Sequence, residues 1–190
     1  MDSNTRLILF AHPRSGSSNL YQILQLHPAL TILEEPFNEG FTSWDANNKN
    51  YLALIHDIPS LDAQLAEIFT AHNGVKVLDY QLPDDLAVHM LRRPDCKIIF
   101  LRRRNLLQSV VSAMIAEQTN LWKKWDMTRP LEEYYRDLQP LDIAAVQSHV
   151  AGLQQHLDFF EGVVDARGGE SALKLVYEDL YFAPAAARDA

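Results

Sequence analysis

Short apolar runs alternate along the chain with longer segments in which apolar residues recur at helical spacing. The apolar runs predict buried strands, because a strand covered on both faces reads as a continuous apolar stretch rather than an alternating one. The predicted strands are residues 7–10, 30–33, 75–78, 97–101 and 172–177. The intervening segments predict helices over residues 17–26, 60–71, 83–91, 105–118 and 141–164.

This alternation predicts the fold class: an α/β domain with a mostly parallel central sheet and helices on both faces. A chain of 190 residues with 47% hydrophobic residues can build one domain with a substantial core, so residues 1–190 are predicted to form a single domain. Ligands of such sheets bind beyond the carboxyl ends of the strands. Arg14 and Arg104 each follow a predicted strand, which places both at that edge.

Charge and cysteine content narrow the possible partners. The chain has 17 basic and 25 acidic residues, a net charge of −8, which disfavours nucleic acid and anionic membranes as partners. The single cysteine, Cys96, excludes an internal disulfide and gives no metal-ligand pattern. The apolar run over residues 7–11 is too short for a signal peptide core or a membrane span, so a soluble cytoplasmic protein is expected.

The segment HPRSGSS, residues 12–18, joins the first strand to the first helix and has the layout of an anion-binding loop. Backbone N–H groups at a helix N-terminus bind anions, and an arginine fork matches two oxygens of a phosphate or sulfate. Here Arg14 supplies the fork and Gly16 allows close backbone approach. The alternative is an ordinary turn with a serine cap. The chain lacks GxxxxGK[ST], which disfavours a nucleotide kinase or GTPase.

A second strand-to-helix turn lies in KIIFLRRRNLLQSVVS, residues 97–112. Six basic residues fall in a short window here: Arg92, Arg93, Lys97, Arg102, Arg103 and Arg104. Arg104 at the turn and Ser112 on the helix could hold one more phosphate. The alternatives are a solvated basic patch paired with Asp95, or a nucleic-acid footprint, which the overall charge weakens.

Two anion sites of this kind resemble those of sulfotransferases that use 3′-phosphoadenosine-5′-phosphosulfate (PAPS), especially the bacterial trehalose-type and carbohydrate branches. PRSGSSNLYQILQLHP is similar to the family's phosphosulfate loop and helix, RNLLQSVVS to its 3′-phosphate motif, and LVYEDL to a late strand. The resemblance implies a P-loop-like fold and PAPS as co-substrate. The donor-binding residues it implies are Arg14, Ser15, Gly16, Ser17, Ser18, Asn19, Arg104 and Ser112.

The same resemblance implies a glutamate base 21 positions after the loop arginine, which is Glu35. Glu34 and Glu39 are the alternatives, each readable as a solvated loop carboxylate. The implied reaction is direct in-line sulfuryl transfer, in which Glu35 takes the acceptor's proton and Arg14 stabilises charge on the bridging oxygen. No cluster of His, Cys and acidic residues has ligand spacing, so no metal is expected.

The acceptor is expected to be a hydroxyl of a carbohydrate, glycolipid or small molecule. Trp122 and Trp125 could stack on a sugar, or could pack a loop onto the core. His12 could contact the donor or be structural, and Lys76 could assist at the strand end or be an ordinary strand lysine. The family usually continues with a further helix, so a C-terminally truncated member is possible. A non-catalytic nucleotide- or partner-binding domain is the alternative function.

Overall fold

The computed structural model describes residues 6–39, 49–122, 127–169 and 171–182. Its strands are β1 (Arg6–Ala11), β2 (Ile32–Glu34), β3 (Gly74–Leu78), β4 (Cys96–Arg102) and β5 (Ala172–Val176). Its helices are α1 (Ser17–Leu24), α2 (Ile58–Ala71), α3 (Asp84–Leu91), α4 (Leu106–Thr119), α5 (Leu131–Tyr135), α6 (Ile143–Asp165) and α7 (Tyr177–Tyr181), with a 3₁₀ turn at Leu52–Leu54.

The five strands form one sheet in the order β2-β3-β1-β4-β5, and each described pair is parallel. The α/β prediction is confirmed, with the sheet wholly rather than mostly parallel. Strand β1 lies in the middle, and its buried residues Leu7, Ile8, Leu9 and Phe10 explain why its sequence is continuously apolar. The loop that follows β1 therefore opens at the centre of the sheet edge.

The handedness of parallel crossovers distributes the helices unequally between the two faces. The connection from β1 to β2 crosses the sheet in one direction, whereas the later connections cross in the other. Because such crossovers are right-handed, α1 covers one face while α2, α3, α4 and α6 cover the opposite one. The larger core lies on the second face, where Phe10 and Phe100 pack with Leu65 and Phe160. A smaller core joins Leu20 of α1 to the sheet.

Element boundaries differ from the predicted ones where polar side chains fix the chain. Helix α2 begins at Ile58, two residues before the predicted start at residue 60, and its N-cap is Asp57 rather than Ser60. Ser60 instead completes the capping box by accepting from the Asp57 backbone N–H. Strand β5 ends at Val176, and Tyr177 begins the unpredicted helix α7.

Because the larger core lies on one face of the sheet, we expect substitutions there to cost more stability. Leu65 of α2 is 0% exposed within the larger core, whereas Leu26, just after α1, is 82% exposed. We expect Leu65→Ala to lower the free energy of unfolding by about 2–5 kcal/mol, since it removes buried methyl groups and leaves a cavity. The matched variant Leu26→Ala should leave it within about 0.5 kcal/mol. Urea denaturation measures both, and equal effects would contradict this assignment of faces.

Candidate functional site

The predicted anion loops lie side by side because of the strand order. Strands β1 and β4 are neighbours, yet their connections leave toward opposite ends of the sheet. This topological switch point is where ligands of open α/β sheets bind. A direct contact joins the two loops, since Arg103 Nη1 donates a hydrogen bond of 3.0 Å to the carbonyl oxygen of Arg14.

The loop after β1 holds two residues in left-handed conformations, Arg14 with φ 63° and Gly16 with φ 86°. Gly16 is the N-cap of α1, and no side chain accepts from the first N–H groups of this helix. The alternative of a serine cap is therefore wrong for this turn. Ser15 is 1% exposed, and its Oγ has no hydrogen-bond partner in the described part of the chain. Uncapped N–H groups and an unpartnered buried hydroxyl are suited to an anion.

Arg14 is held by contacts that cross to α4. Its Nε donates to Ser112 Oγ at 2.8 Å, and its Nη1 donates to the Trp122 carbonyl oxygen. Burial lowers the pKa of Arg14, and the neighbouring charge of Arg103 lowers it further. The side chain of Ser112, expected to assist Arg104, thus contacts the arginine of the other loop.

Acidic residues of α7 engage the loop after β4. The Glu178 carboxylate accepts from the backbone N–H of Arg104 at 2.8 Å and of Asn105 at 2.9 Å. Burial raises the pKa of Glu178, but these N–H donors outweigh it and leave that pKa below its ordinary value. Asp179 accepts twice from Arg104 Nη2, at 2.8 and 2.9 Å. Carboxylates of the chain therefore occupy the donors predicted to bind a phosphate.

Tyr177, the first residue of α7, contacts both the loop after β1 and the loop after β4. Its ring lies so close to Gly16 that a Cβ at this position would come within 2.4 Å of it. The guanidinium of Arg103 lies over the same ring, with its Cζ 4.4 Å from the ring centroid. Gly16 is therefore required twice, by its positive φ and by the aromatic ring beside it.

The candidate base Glu35 follows β2 and belongs to a buried charged cluster. Its Oε1 lies 2.7 Å from Lys76 Nζ, and Lys76 is 0% exposed. The same ammonium donates to Glu34 Oε1 at 2.9 Å and to Ser18 Oγ at 3.0 Å. Lys76 thereby ties α1 to the end of β2. Glu35 itself has a positive φ of 49°, a strained backbone conformation of the kind that concentrates at functional sites.

Three residues near Glu35 were missed from the sequence. Asn38 Nδ2 donates to Glu35 Oε2 at 3.0 Å, and Gln81 Nε2 approaches the same oxygen at 3.4 Å. Tyr80 is exposed, and both burial of its hydroxyl and the charge of Glu35 raise its pKa. The available signal was position: Tyr80 and Gln81 lie in DYQ directly after the carboxyl end of β3, and Asn38 lies just after the carboxyl end of β2.

Other predicted site residues have mixed outcomes. Ser17 is buried at the start of α1, and Asn19 lies in its first turn, where its N–H donates to the Gly16 carbonyl oxygen. Glu39 follows the buried cluster, and no contact with Lys76 is seen for it within the described residues. Trp125 and residues 183–190, the start of the expected further helix, lie outside the described residues.

Comparisons with known proteins identify the fold. No protein-family model matches the chain, and no curated protein matches it. Among solved structures, the chain is similar to a sulfotransferase from Alicyclobacillus acidocaldarius. The match has a TM-score of 0.51 and 18% sequence identity, and covers 97% of this chain and 78% of that one. The chain has a sulfotransferase fold. At this identity the likeness concerns the fold and not the branch, donor or acceptor.

A metal-binding cluster and a membrane-spanning helix are both absent from the described residues. Across residues 6–39, 49–122, 127–169 and 171–182, no group of three or more His, Cys, Asp or Glu side chains is arranged to hold a metal ion. None of the helices in these ranges has the length and apolar character needed to cross a membrane.

The buried cluster makes a second stability prediction. Lys76→Met removes the cation shared by Glu34 and Glu35 and leaves buried carboxylates without it, which should lower the free energy of unfolding by about 3–5 kcal/mol. The matched control is Lys174→Met, because Lys174 also contacts two carboxylates, Glu161 and Asp165, but on the surface. Urea denaturation should show little change for the control. A Lys76→Met protein as stable as the wild type would refute the structural role of this ammonium.

Proposed function

We propose that the protein is a PAPS-dependent sulfotransferase that transfers a sulfuryl group to a hydroxyl of a carbohydrate, glycolipid or small-molecule acceptor. The observation that carries the proposal is the uncapped, glycine-turned loop at the switch point of a sulfotransferase fold, with Arg14 folded into it. The reaction is proposed to occur in the cytoplasm.

The loop after β1 fits the phosphosulfate group of the donor. The N–H groups at the start of α1 and the unpartnered Oγ of Ser15 provide neutral donors, while Arg14 provides charge. Ser17, Ser18 and Asn19 complete the predicted set. Charge develops on the bridging oxygen as the bond to sulfur breaks, and donors fixed in advance by the fold stabilise it without reorganisation. The positive φ of Arg14, unusual for a residue other than glycine, supports such a fixed arrangement.

The 3′-phosphate is proposed to bind at Arg104 and the N-terminus of α4, with Ser112 nearby on this helix. In the structure Asp179 and Glu178 engage these donors. The Arg104–Asp179 pair is largely exposed, and exposed ion pairs are weak. A phosphate carries more charge than one carboxylate and can displace it. Binding of the donor would then replace the Arg104–Asp179 ion pair with an Arg104–phosphate ion pair.

Glu35 is proposed as the base for the acceptor hydroxyl. Its Oε1 accepts from Lys76 Nζ at 2.7 Å, a contact that fixes one carboxylate oxygen. Asn38 and Gln81 donate to the other oxygen and fix the carboxylate's direction. The exposed ring of Tyr80 lies beside this cluster, and Trp122 adjoins Arg14. Aromatic rings at both places support a sugar as the acceptor class.

A non-catalytic binding domain is the second candidate function. The observation that favours it is the occupation of Arg104 and the α4 N-terminus by carboxylates of α7. If that arrangement is permanent, the second phosphate cannot bind and the domain would present another surface to a partner. The two functions differ in whether the chain binds 3′,5′-adenosine bisphosphate and transfers sulfate.

The base assignment is tested by two neighbouring glutamates. Glu34 and Glu35 both contact Lys76, so Glu34→Gln and Glu35→Gln disturb the same ammonium. We expect Glu35→Gln to lower kcat by about 10²–10⁴-fold, the range of general base catalysis, and Glu34→Gln to lower it far less. Sulfate transfer from ³⁵S-labelled PAPS to a sugar panel that includes trehalose measures both. Equal losses would assign the effect to Lys76 rather than to a base.

The second anion site is tested by calorimetric titration with 3′,5′-adenosine bisphosphate. Arg104→Ala should weaken binding about tenfold or more, because a charge-assisted phosphate contact is lost. Asp179→Asn removes the internal competitor and should tighten binding about threefold, as expected for an exposed ion pair. AMP, ADP and ATP serve as comparisons. Binding that is unaffected by either variant would exclude this site, and a preference for ATP would exclude the sulfotransferase proposal.

A further inference from the structure

A second acid–base group lies at the sheet edge, on the opposite face from Glu35. Asp79 directly follows β3, and its side chain is 2% exposed. A buried carboxylate needs hydrogen-bond donors or positive charge close to it. Within the described residues its side-chain partners are two imidazoles: His12 Nδ1 at 2.8 Å and His156 Nε2 at 3.5 Å. The shorter contact involves the residue that opens the anion loop.

The carboxylate fixes the state and direction of the His12 ring. Asp79 accepts at both oxygens, 2.8 and 3.1 Å from Nδ1, so Nδ1 carries the hydrogen. The two ring nitrogens point in nearly opposite directions, and Nε2 is therefore turned away from Asp79. No hydrogen-bond partner of Nε2 is found in the described part of the chain. In histidines that act as acid–base catalysts, Nδ1 likewise donates to a buried aspartate and Nε2 is left to exchange a proton with the substrate.

The anion loop needs an acid–base side chain if the leaving oxygen of the bound donor is to receive a proton. Arg14 can give charge and hydrogen bonds, but a guanidinium does not release its proton in a protein. The other side chains of residues 12–18 are proline, glycine and serines. His12 is thus the one side chain of this segment of a type that commonly serves as a general acid or base. The Ser15 N–H donates to the His12 carbonyl oxygen at 3.3 Å, which closes the loop around this position.

We propose that His12, oriented by Asp79, is the general acid that protonates the bridging oxygen of the donor; this rests on the function proposed above. As the acceptor oxygen bonds to sulfur, the bond from sulfur to the bridging oxygen breaks and its electron pair goes to that oxygen. The proton on His12 Nε2 passes to it, while Glu35 takes the acceptor's proton. Solvent then returns a proton to Nε2 and removes one from Glu35, so the enzyme ends each cycle unchanged.

The first experiment is independent of the acceptor. The full-length protein, labelled with ¹⁵N in its imidazoles, is titrated with 3′,5′-adenosine bisphosphate, whose 5′-phosphate contains the former bridging oxygen. His12→Gln identifies the resonances of His12. Binding is expected to shift Nε2 of His12 strongly and to leave Nδ1 hydrogen-bonded to Asp79. A bound bisphosphate that leaves Nε2 unshifted overturns the proposal.

The second experiment separates binding from chemistry. His12→Gln keeps a hydrogen-bond donor but cannot transfer a proton, so kcat should fall about 100-fold while bisphosphate affinity stays within about threefold. Asp79→Asn should also lower kcat, since it removes the charge that stabilises the imidazolium. The matched control is His149→Gln, which alters an exposed imidazole of α6 that contacts only the Ala145 carbonyl oxygen among the described residues and should leave kcat near the wild-type value.

A pH profile distinguishes proton transfer from a structural role. The ionisable groups that face the ring or its carboxylate partner are Asp79, which follows β3, and His156 of α6, and Arg14 lies two residues further along the loop. A general acid must be protonated, so the rate of the wild type should fall as pH rises, and His12→Gln should lose this fall. Identical profiles overturn the inference and leave the proposed function intact. A wild-type protein that binds no bisphosphate and transfers no sulfate overturns both.

Discussion

One fully buried ammonium organises the reactive edge of this protein. Lys76 Nζ contacts a serine of α1 and two glutamates at the end of β2, all within 3.0 Å. A charge without water must be paired, and the pairing fixes three segments that the chain itself does not connect closely. The anion loop, the short edge strand and the candidate base therefore hold their relative positions through a single side chain. Removing that charge would disturb all three together.

The strand order supplies the second constraint. Right-handed crossovers place α1 on one face and the remaining large helices on the other, and this separates two kinds of chemistry. Glu35 and Lys76 lie on the α1 face of the edge, whereas His12, Asp79 and His156 lie toward α6. A group bound between the loops of β1 and β4 would be approached from both faces. The topology thus allows proton acceptance and proton donation at separate places.

Much of this arrangement could be predicted from sequence, for physical reasons. Buried parallel strands read as continuous apolar runs, so β1 and β4 were found to within one or two residues. The two anion loops follow those strands and were found with them. The predicted strand begins two residues before β2, because side-chain oxygens of Asn73 and Gln25 accept from the N–H groups of Thr31 and Ile32 and fix the chain there. Local patterns carry no trace of such bonds.

The partners of the site residues were the least predictable part. LVYEDL resembled a late strand, yet its last four residues belong to α7 and its acids contact Arg104 and the α4 N-terminus. Asp79 gives no distinct signal in the sequence, because an aspartate after a strand is equally suited to a turn. The distinction depends on burial and on side chains from distant segments. A single sequence does not contain that information, whereas the packed structure does.

The contact between Gly16 and Tyr177 has a consequence for how the protein folds. The two residues are separated by most of the chain, and Tyr177, which lies against the loop at Gly16, directly follows β5. Contacts of such sequence separation form late, because the intervening chain must first be ordered. During synthesis the anion loop would thus remain exposed, with its arginine and N–H donors uncovered, until β5 docks on the sheet. Docking of β5 therefore completes the sheet and also brings Tyr177 onto the anion loop.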